Sequence, residues 1–154
     1  MNLFLEKLLK TDGGWSSLIL RGVLGAVIFP HGAQKLLGWF GGYGFSGTVQ
    51  AFTEKMGMPY LIALLVIAGE FFASLALLAG LVTRLAAAGV MTILLGAVTM
   101  VHWQNGFFMN WFGNQAGEGF EYHLLAIAMA MALILSGGGR ASLDGALHRR
   151  LSAG

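Results

Sequence analysis

The sequence predicts an all-α integral membrane protein, a four-transmembrane-helix bundle with a short N-terminal interfacial helix, in one domain over residues 1–154. Three observations carry the prediction. Charged residues make up only 10% of the chain and hydrophobic ones 56%, whereas a soluble domain needs about 25% charged residues. The mean hydropathy is +0.73. Four apolar stretches, at about 16–39, 59–82, 84–103 and 120–136, come close to or exceed the roughly 20 residues that cross a bilayer. None alternates apolar and polar residues as a strand would. A soluble helix bundle would need polar outer faces, which these stretches lack.

Ahead of the first span, Leu5, Leu8 and Leu9 lie opposite Glu6, Lys7 and Lys10. This is the pattern of a helix lying on a membrane surface; a frayed tail is the alternative. No basic stretch precedes an apolar one, so a cleaved signal peptide is not expected. Asp12-Gly13-Gly14 ends the segment, and Trp15 stands where an interfacial anchor belongs.

The first span contains FPHGAQK, Phe29 to Lys35. Pro30 removes a backbone donor and crowds the carbonyl of Ala26, which predicts a kink. His31 and Lys35 are four apart and share a face. Two readings are open: the wall of a polar pocket, or a kinked helix end with an interfacial His and a Lys that snorkels to water. Glu70 lies near the middle of the second span, roughly 16 Å from either end. A charge at such a depth costs about 2.5–3.5 kcal/mol on insertion scales and marks function by default. Arg21, roughly 7 Å inside the first span, is near enough to pair with Glu70. The other reading of Glu70 is a carboxyl that carries a proton.

His102 ends the third span, and Glu121 and His123 open the fourth. The last two lie about 200° apart on a helix, so one pocket can take only one of them. Glu121 is expected inward because a carboxylate is the costlier group to expose to lipid. The connections at 38–58 and 104–119 are rich in glycine and aromatics, WFGGYGFSG and GFFMNWFG. They either cap the bundle or form an aromatic belt. Small residues recur at helical spacing: Gly22, Gly25 and Gly32; Gly69, Ala73, Ala76 and Gly80; Ala88, Thr92, Gly96 and Thr99; Ala126 and Ala130, or Ala128 and Ala132. Such stripes let helices approach closely in lipid, so they are expected to face inward or a second protomer.

Lys7, Lys10, Arg84, Arg140, Arg149 and Arg150 fall on one side of the spans, and Lys35 and Lys55 on the other, with Glu54, Glu118 and Glu121. The positive-inside rule then places both termini in the cytoplasm. The chain has no cysteine, which excludes disulfides, thiolate metal sites, Fe–S clusters and thiol–quinone exchange. No Lys/Arg stripe points to nucleic acid. No spacing signature marks a metal site, and His31 and His102 sit at different depths, so haem is not expected.

In order along the chain, the motifs are R-x-x-x-G and F-x-H-G-x-x-K (Arg21 to Lys35), G-E-x-x-x-S-L-x-L-L-x-G-L-x-T-R (Gly69 to Arg84), N-G (Asn105, Gly106), E-Y-H-L (Glu121 to Leu124) and G-G-G-R-x-S-L-D (Gly137 to Asp144). Together they resemble the DoxX family of small four-helix bacterial membrane proteins, over roughly Leu18 to Leu147. The family often has a proline among the last glycines; here the run is Gly137-Gly138-Gly139. The resemblance implies a multi-pass protein of the bacterial inner membrane. It also implies a quinone-linked redox subunit, since the family is named after part of a quinol oxidase system and includes the membrane part of a thiosulfate:quinone oxidoreductase. Many members are called oxidoreductases without an assigned reaction.

On that reading, His31, Lys35, His102 and Glu121 form an outward head-group site, and Glu70 and Arg21 relay or balance charge. Arg21, His31, Trp39 and Trp103 contact the quinone, the tryptophans as aromatic walls. Electrons come from a redox partner protein or a small-molecule donor. The alternatives are a small-solute transporter, which with four helices would have to act as a homo-oligomer, and a membrane binding or anchor subunit of a larger complex.

Overall fold

The computed structural model describes residues 3–153, the Phe4 side chain apart. The described residues form helices and connections with no strand. A short helix α1 (Leu3–Leu9) precedes the long α2 (Trp15–Leu37). The connection after α2 carries α3 (Gly44–Gln50), which continues as a π turn over Ala51–Lys55. Then come α4 (Tyr60–Ala79) and α5 (Thr83–Ala97). The helical path of α5 runs on through a π turn (Val98–His102) and a 3-10 turn (Trp103–Asn105). After a non-helical connection, α6 (Glu121–Ser136) and α7 (Leu143–Ser152) complete the chain.

Three of these are long and apolar enough to cross a membrane: Trp15–Leu37, Tyr60–Ala79 and Thr83–Asn105. The fourth, Glu121–Ser136, has 16 residues, about 24 Å at 1.5 Å per residue, less than the roughly 30 Å of a hydrocarbon core. Two elements were not anticipated in sequence. The connection at 38–58 is partly helical, and α7 follows the glycine run, its N-cap Ser142 accepting from Gly145 N at 3.1 Å. The helix α2 keeps its helical path through Pro30.

The four main helices close into a ring. Each packs on the next in sequence, α2 on α4, α4 on α5 and α5 on α6, and α6 returns to α2. Apolar residues fill the lower centre of the ring: Leu24, Ile28, Leu77, Ala86, Ala87, Val90, Leu94, Ala126, Ala130 and Leu133, all buried. The tightest seam is α2 against α4, and glycine makes it possible. A Cβ on Gly32 would lie 2.6 Å from Phe71 N and 2.8 Å from the Glu70 carbonyl carbon; one on Gly25 would lie 2.9 Å from Leu78 Cγ. The small residues expected inward or at a second protomer make a close helix seam there and make none on α5. Thr92 and Thr99 are exposed, and a Cβ on Gly96 would meet nothing within 4 Å. On α5 it is Ala87, Val90, Leu94 and Val98 that turn inward, since apolar bulk fills the centre there and the small residues line an open cleft.

One end of the bundle gathers α1, α7 and the turn between α4 and α5; the other gathers the two long connections. At the terminal end, Asp144 is 1% exposed and caps α5, accepting from Val82 N at 2.6 Å and Thr83 N at 2.8 Å. Gly80 adopts φ +65° where α4 ends, a left-handed conformation that glycine takes without a Cβ penalty. Arg84 reaches across to the Ile134 and Leu135 carbonyls at the end of α6 and to Lys10 O. Arg140 lies 4.7 Å over the Trp15 ring.

Candidate functional site

The close α2–α4 seam sets the site. Gly32 brings the two backbones together beside Glu70. One turn further, Lys35 Nζ meets Glu70 Oε2 at 2.6 Å, with the side chains 24% and 13% exposed. This half-sheltered ion pair is a charge-assisted hydrogen bond. It is the sole Lys/Arg–carboxylate bridge among the described residues.

Lys35 and Glu70 line a cavity of about 910 Å³ together with His31, His102, Tyr122 and His123. All four ring helices contribute to it. Apart from these polar groups and Glu118 and Thr92, its walls are apolar, among them Ile62, Leu65 and Val66 from α4, Ile93 and Ala97 from α5, and Phe52, Met56 and Met58 from the first connection. Leu65 and Met100, which line it from α4 and from the turn that continues α5, are 59% and 50% exposed. Gly89 and Gly96, also in its lining, have nothing within 4 Å of a Cβ. The cavity therefore opens sideways through a greasy cleft between α4 and α5. A second cavity, about 790 Å³, adjoins it through shared Lys35, Phe52 and Met56 and has Gln34, Thr48, Gln50 and Lys55 among its lining residues.

On α6 and the end of α5, the His102 and His123 rings lie 4.1 Å apart at 41°. His102 Nδ1 is 2.8 Å from the Glu118 carbonyl oxygen. A carbonyl only accepts, so Nδ1 carries the proton in that contact. Neither His123 Nδ1 nor the Tyr122 hydroxyl has a hydrogen-bond partner, although both are buried.

The structure thus gathers four of the anticipated residues, His31, Lys35, Glu70 and His102, and places the others elsewhere. Glu121 does not line the cavity. It accepts from Met109 N at 2.9 Å and Trp111 Nε1 at 3.1 Å, tying down the connection ahead of α6. His123, 7% exposed, takes the inward place. The lipid-cost argument misjudged the pair because Glu121 begins its helix, where donors of the preceding connection satisfy it. Arg21 does not pair with Glu70. It is 2% exposed and donates to backbone carbonyls: Nε to Gly138 at 2.8 Å, Nη1 to Leu78 at 2.6 Å and Leu77 at 3.1 Å, Nη2 to Ala141 at 3.0 Å and Arg140 at 3.2 Å. The Leu77 and Leu78 carbonyls belong to the last turn of α4, where carbonyls run short of intrahelical donors; Leu77 O also accepts from Gly80 N. Trp39 is exposed beside Phe40, and Trp103 is exposed and stacked on Phe120 at 5.3 Å; neither lines the cavity. Tyr122 and His123 are the residues that sequence reasoning missed as a pair, and E-Y-H-L was the signal that contained them.

Among the described residues no cluster of three His, Cys, Asp or Glu side chains stands ready for a metal ion. The fold and the site define an all-helical protein with membrane-type helices around a laterally open, mostly apolar cavity that holds a charged pair at one end. The chain belongs to the DoxX family, whose model matches residues 16–103, the stretch from α2 to the end of α5's helical path. Among curated proteins it is similar to "Putative oxidoreductase CatD" of Bacillus subtilis (strain 168), 29% identical over 117 residues, covering 76% of this chain and 77% of that protein. No solved structure matches the chain.

Proposed function

We propose that the chain is a quinone-linked redox subunit of the bacterial inner membrane, with four spans and both termini cytoplasmic, and that the 910 Å³ cavity is its quinone site. The observation that carries this reading is the sideways mouth. A polyprenyl quinone reaches a protein from within the bilayer, and a greasy cleft leading to a Lys–Glu pair provides for both tail and ring. The α6 helix completes the fourth span with help from the chain before it. Phe120 N and Glu121 N bond to the Gly106 and Phe107 carbonyls, so backbone polarity beyond the helix is satisfied, as membrane depth requires.

The residues fit such a group: Lys35 and Glu70, with His31, His102, Tyr122 and His123, offer polar groups, and most of the remaining wall is hydrocarbon. A bound quinone would supply two-electron chemistry, taking two electrons from a redox partner protein and two protons to leave as the hydroquinone. The chain's own part is to hold the ring and handle protons. Lys35 donates to a ring oxygen and offsets charge that builds on it. Glu70 can accept a proton at Oε2, and Lys35, released from the carboxylate, then balances the charge on the ring. His31, on the same wall of α2, is a second group in the cavity able to exchange protons with the ring.

The test is photolabelling of the full chain in nanodiscs with an azido-quinone. Label is expected on peptides of α4 and α5, competed away by decylubiquinone and reduced in Lys35→Met. Label on none of the four helices would defeat the proposal.

A further inference from the structure

The connection between α5 and α6 turns its aromatic rings outward. Trp111 is 78% exposed and Phe112 90%, and Phe108 is exposed beside them. Residues 104–119 hold one charged side chain, Glu118. The connection is nonetheless firmly framed. Glu118 Oε2 accepts from Asn110 N at 2.7 Å, and Asn110 Oδ1 accepts from Gln115 N at 3.0 Å. The Glu118 carbonyl accepts from Asn105 Nδ2 at 3.1 Å and from His102 Nδ1 at 2.8 Å. The rings are thus held out on a fixed frame, and an apolar patch kept exposed in this way marks an interaction surface.

The length of α6 shows what covers the patch. Its 16 residues rise about 24 Å, which falls about 6 Å short of a hydrocarbon core. The shortfall lies at the connection end. At the other end the chain leaves α6 through Gly137, which packs against Lys10 O, and the exposed, charged Lys10 and Arg140 keep that end at the water. At the connection end, the loop sits directly on the first residue of α6. Glu121 N donates to Phe107 O at 2.9 Å, and Glu121 Oε1 accepts from Met109 N at 2.9 Å and Trp111 Nε1 at 3.1 Å. Residues 107–111 therefore stand in the missing thickness. The exposed apolar side of α6, with Leu125 and Leu135, leads up to Phe120, which stacks on Trp103 at 5.3 Å. Both carboxylates at this level, Glu118 and Glu121, are met by donors of the protein, as membrane depth requires.

We infer that residues 107–112 form a rigid aromatic lip seated in the lipid leaflet on that side, at the boundary between acyl chains and headgroups, with Trp111 and Phe112 in contact with lipid. This rests on the four-span reading above and extends it to the connection. An indole suits that boundary, and the Trp111 N–H already has its acceptor in Glu121. A soluble protein partner fits the patch less well. Protein interfaces are enriched in arginine and edged by a polar rim, and no Lys or Arg occurs anywhere between Arg84 and Arg140. Met109, within the lip, also lines the large cavity, so one wall of that cavity is itself anchored in lipid.

The chain has no cysteine, so a nitroxide can be attached at one position at a time. The experiment labels Phe112→Cys in the full chain, in nanodiscs of phosphatidylethanolamine and phosphatidylglycerol. Electron paramagnetic resonance then reads its collisions with oxygen, which concentrates in lipid, and with a nickel chelate, which stays in water. Leu125→Cys, on the exposed side of α6, is the lipid standard. Glu54→Cys, an exposed charged position in the first connection, is the water standard. Phe112 is almost wholly exposed, so its replacement removes no packed contact and leaves folding intact. The oxygen-to-nickel collision ratio at position 112 should approach that of the lipid standard and lie several-fold above that of the water standard. A ratio at 112 equal to the water standard, with 125 still rich in oxygen, would overturn the lip and leave the four-span reading standing; a free surface for a soluble partner would give the same result. Nickel access at both 112 and 125 would overturn the fourth span and the lip with it.

Discussion

Changing Gly32 and Gly22 to alanine, ten residues apart on one helix, should move stability in opposite directions. Alanine is the better helix former by about 0.5–1 kcal/mol at both sites. At Gly22 nothing lies within 4 Å of the added methyl, so that gain stands alone. At Gly32 the methyl would sit 2.6 Å from Phe71 N and 2.7 Å from Phe71 Cα. Ordinary contact begins at 3.4 Å, so the seam must open by 3.4 − 2.6 = 0.8 Å. The obstructing atoms are backbone and cannot rotate away, so α2 and α4 must part along the seam. Overpacking of this kind costs about 1–3 kcal/mol. The propensity gain is common to both variants, so the difference between them isolates the clash. The measurement is reversible unfolding of the full chain in detergent micelles, followed by far-ultraviolet circular dichroism. Gly22→Ala should match or exceed the wild type and Gly32→Ala should fall below it. A Gly32→Ala protein as stable as Gly22→Ala would refute glycine-mediated contact as the cause of the α2–α4 approach. The same opening would stretch the Lys35–Glu70 contact one turn away, so quinone affinity should fall with stability in Gly32→Ala alone.

Lys35→Met and Glu70→Gln should each destabilise the protein, since each strands its sheltered partner, and the double variant should recover most of the loss. A coupling of about 1–3 kcal/mol is expected from a double-mutant cycle; strict additivity would show that the pair is incidental. Asp144→Ala should cost about 1–3 kcal/mol for each of the two amides it leaves unpaired, and hydrogen exchange should quicken in the peptide containing Val82 and Thr83. Unchanged exchange there would mean that another acceptor caps α5.

Composition and span length made the helical, apolar character of the chain legible in advance, because burying backbone in lipid leaves few architectures. The polar residues of the bundle were equally visible, each standing out in an apolar run. Their partners were less so. Arg21 and Glu70 have opposite charge and overlapping reach, which made a pair the natural expectation. The guanidinium instead has several donors to place, and the end of α4 together with the glycine run at 137–139 presents carbonyls in abundance. A carboxylate accepts at two atoms and could not have satisfied that fork alone. Glu121 and His123 were exchanged for a related reason. Periodicity correctly said that only one could face the cavity, but the choice depended on a loop that folds back to Glu121, and no local pattern announces such a contact. Tyr122 and His123 show the limit most plainly: they are conspicuous only as buried atoms without partners, a property that exists in three dimensions.

Below the cavity the ring is closed by Leu24, Leu77, Ala87, Val90, Ala130 and Leu133, a layer without a polar side chain, and beneath that layer Arg21 is spent on backbone carbonyls. The bundle is in this sense a cup with a solid base. Whatever proton Glu70 or His31 takes up meets no polar side chain in that layer by which to continue. Turnover at this site would then draw its protons from one face of the membrane and release them with the departing hydroquinone, and none would cross the chain.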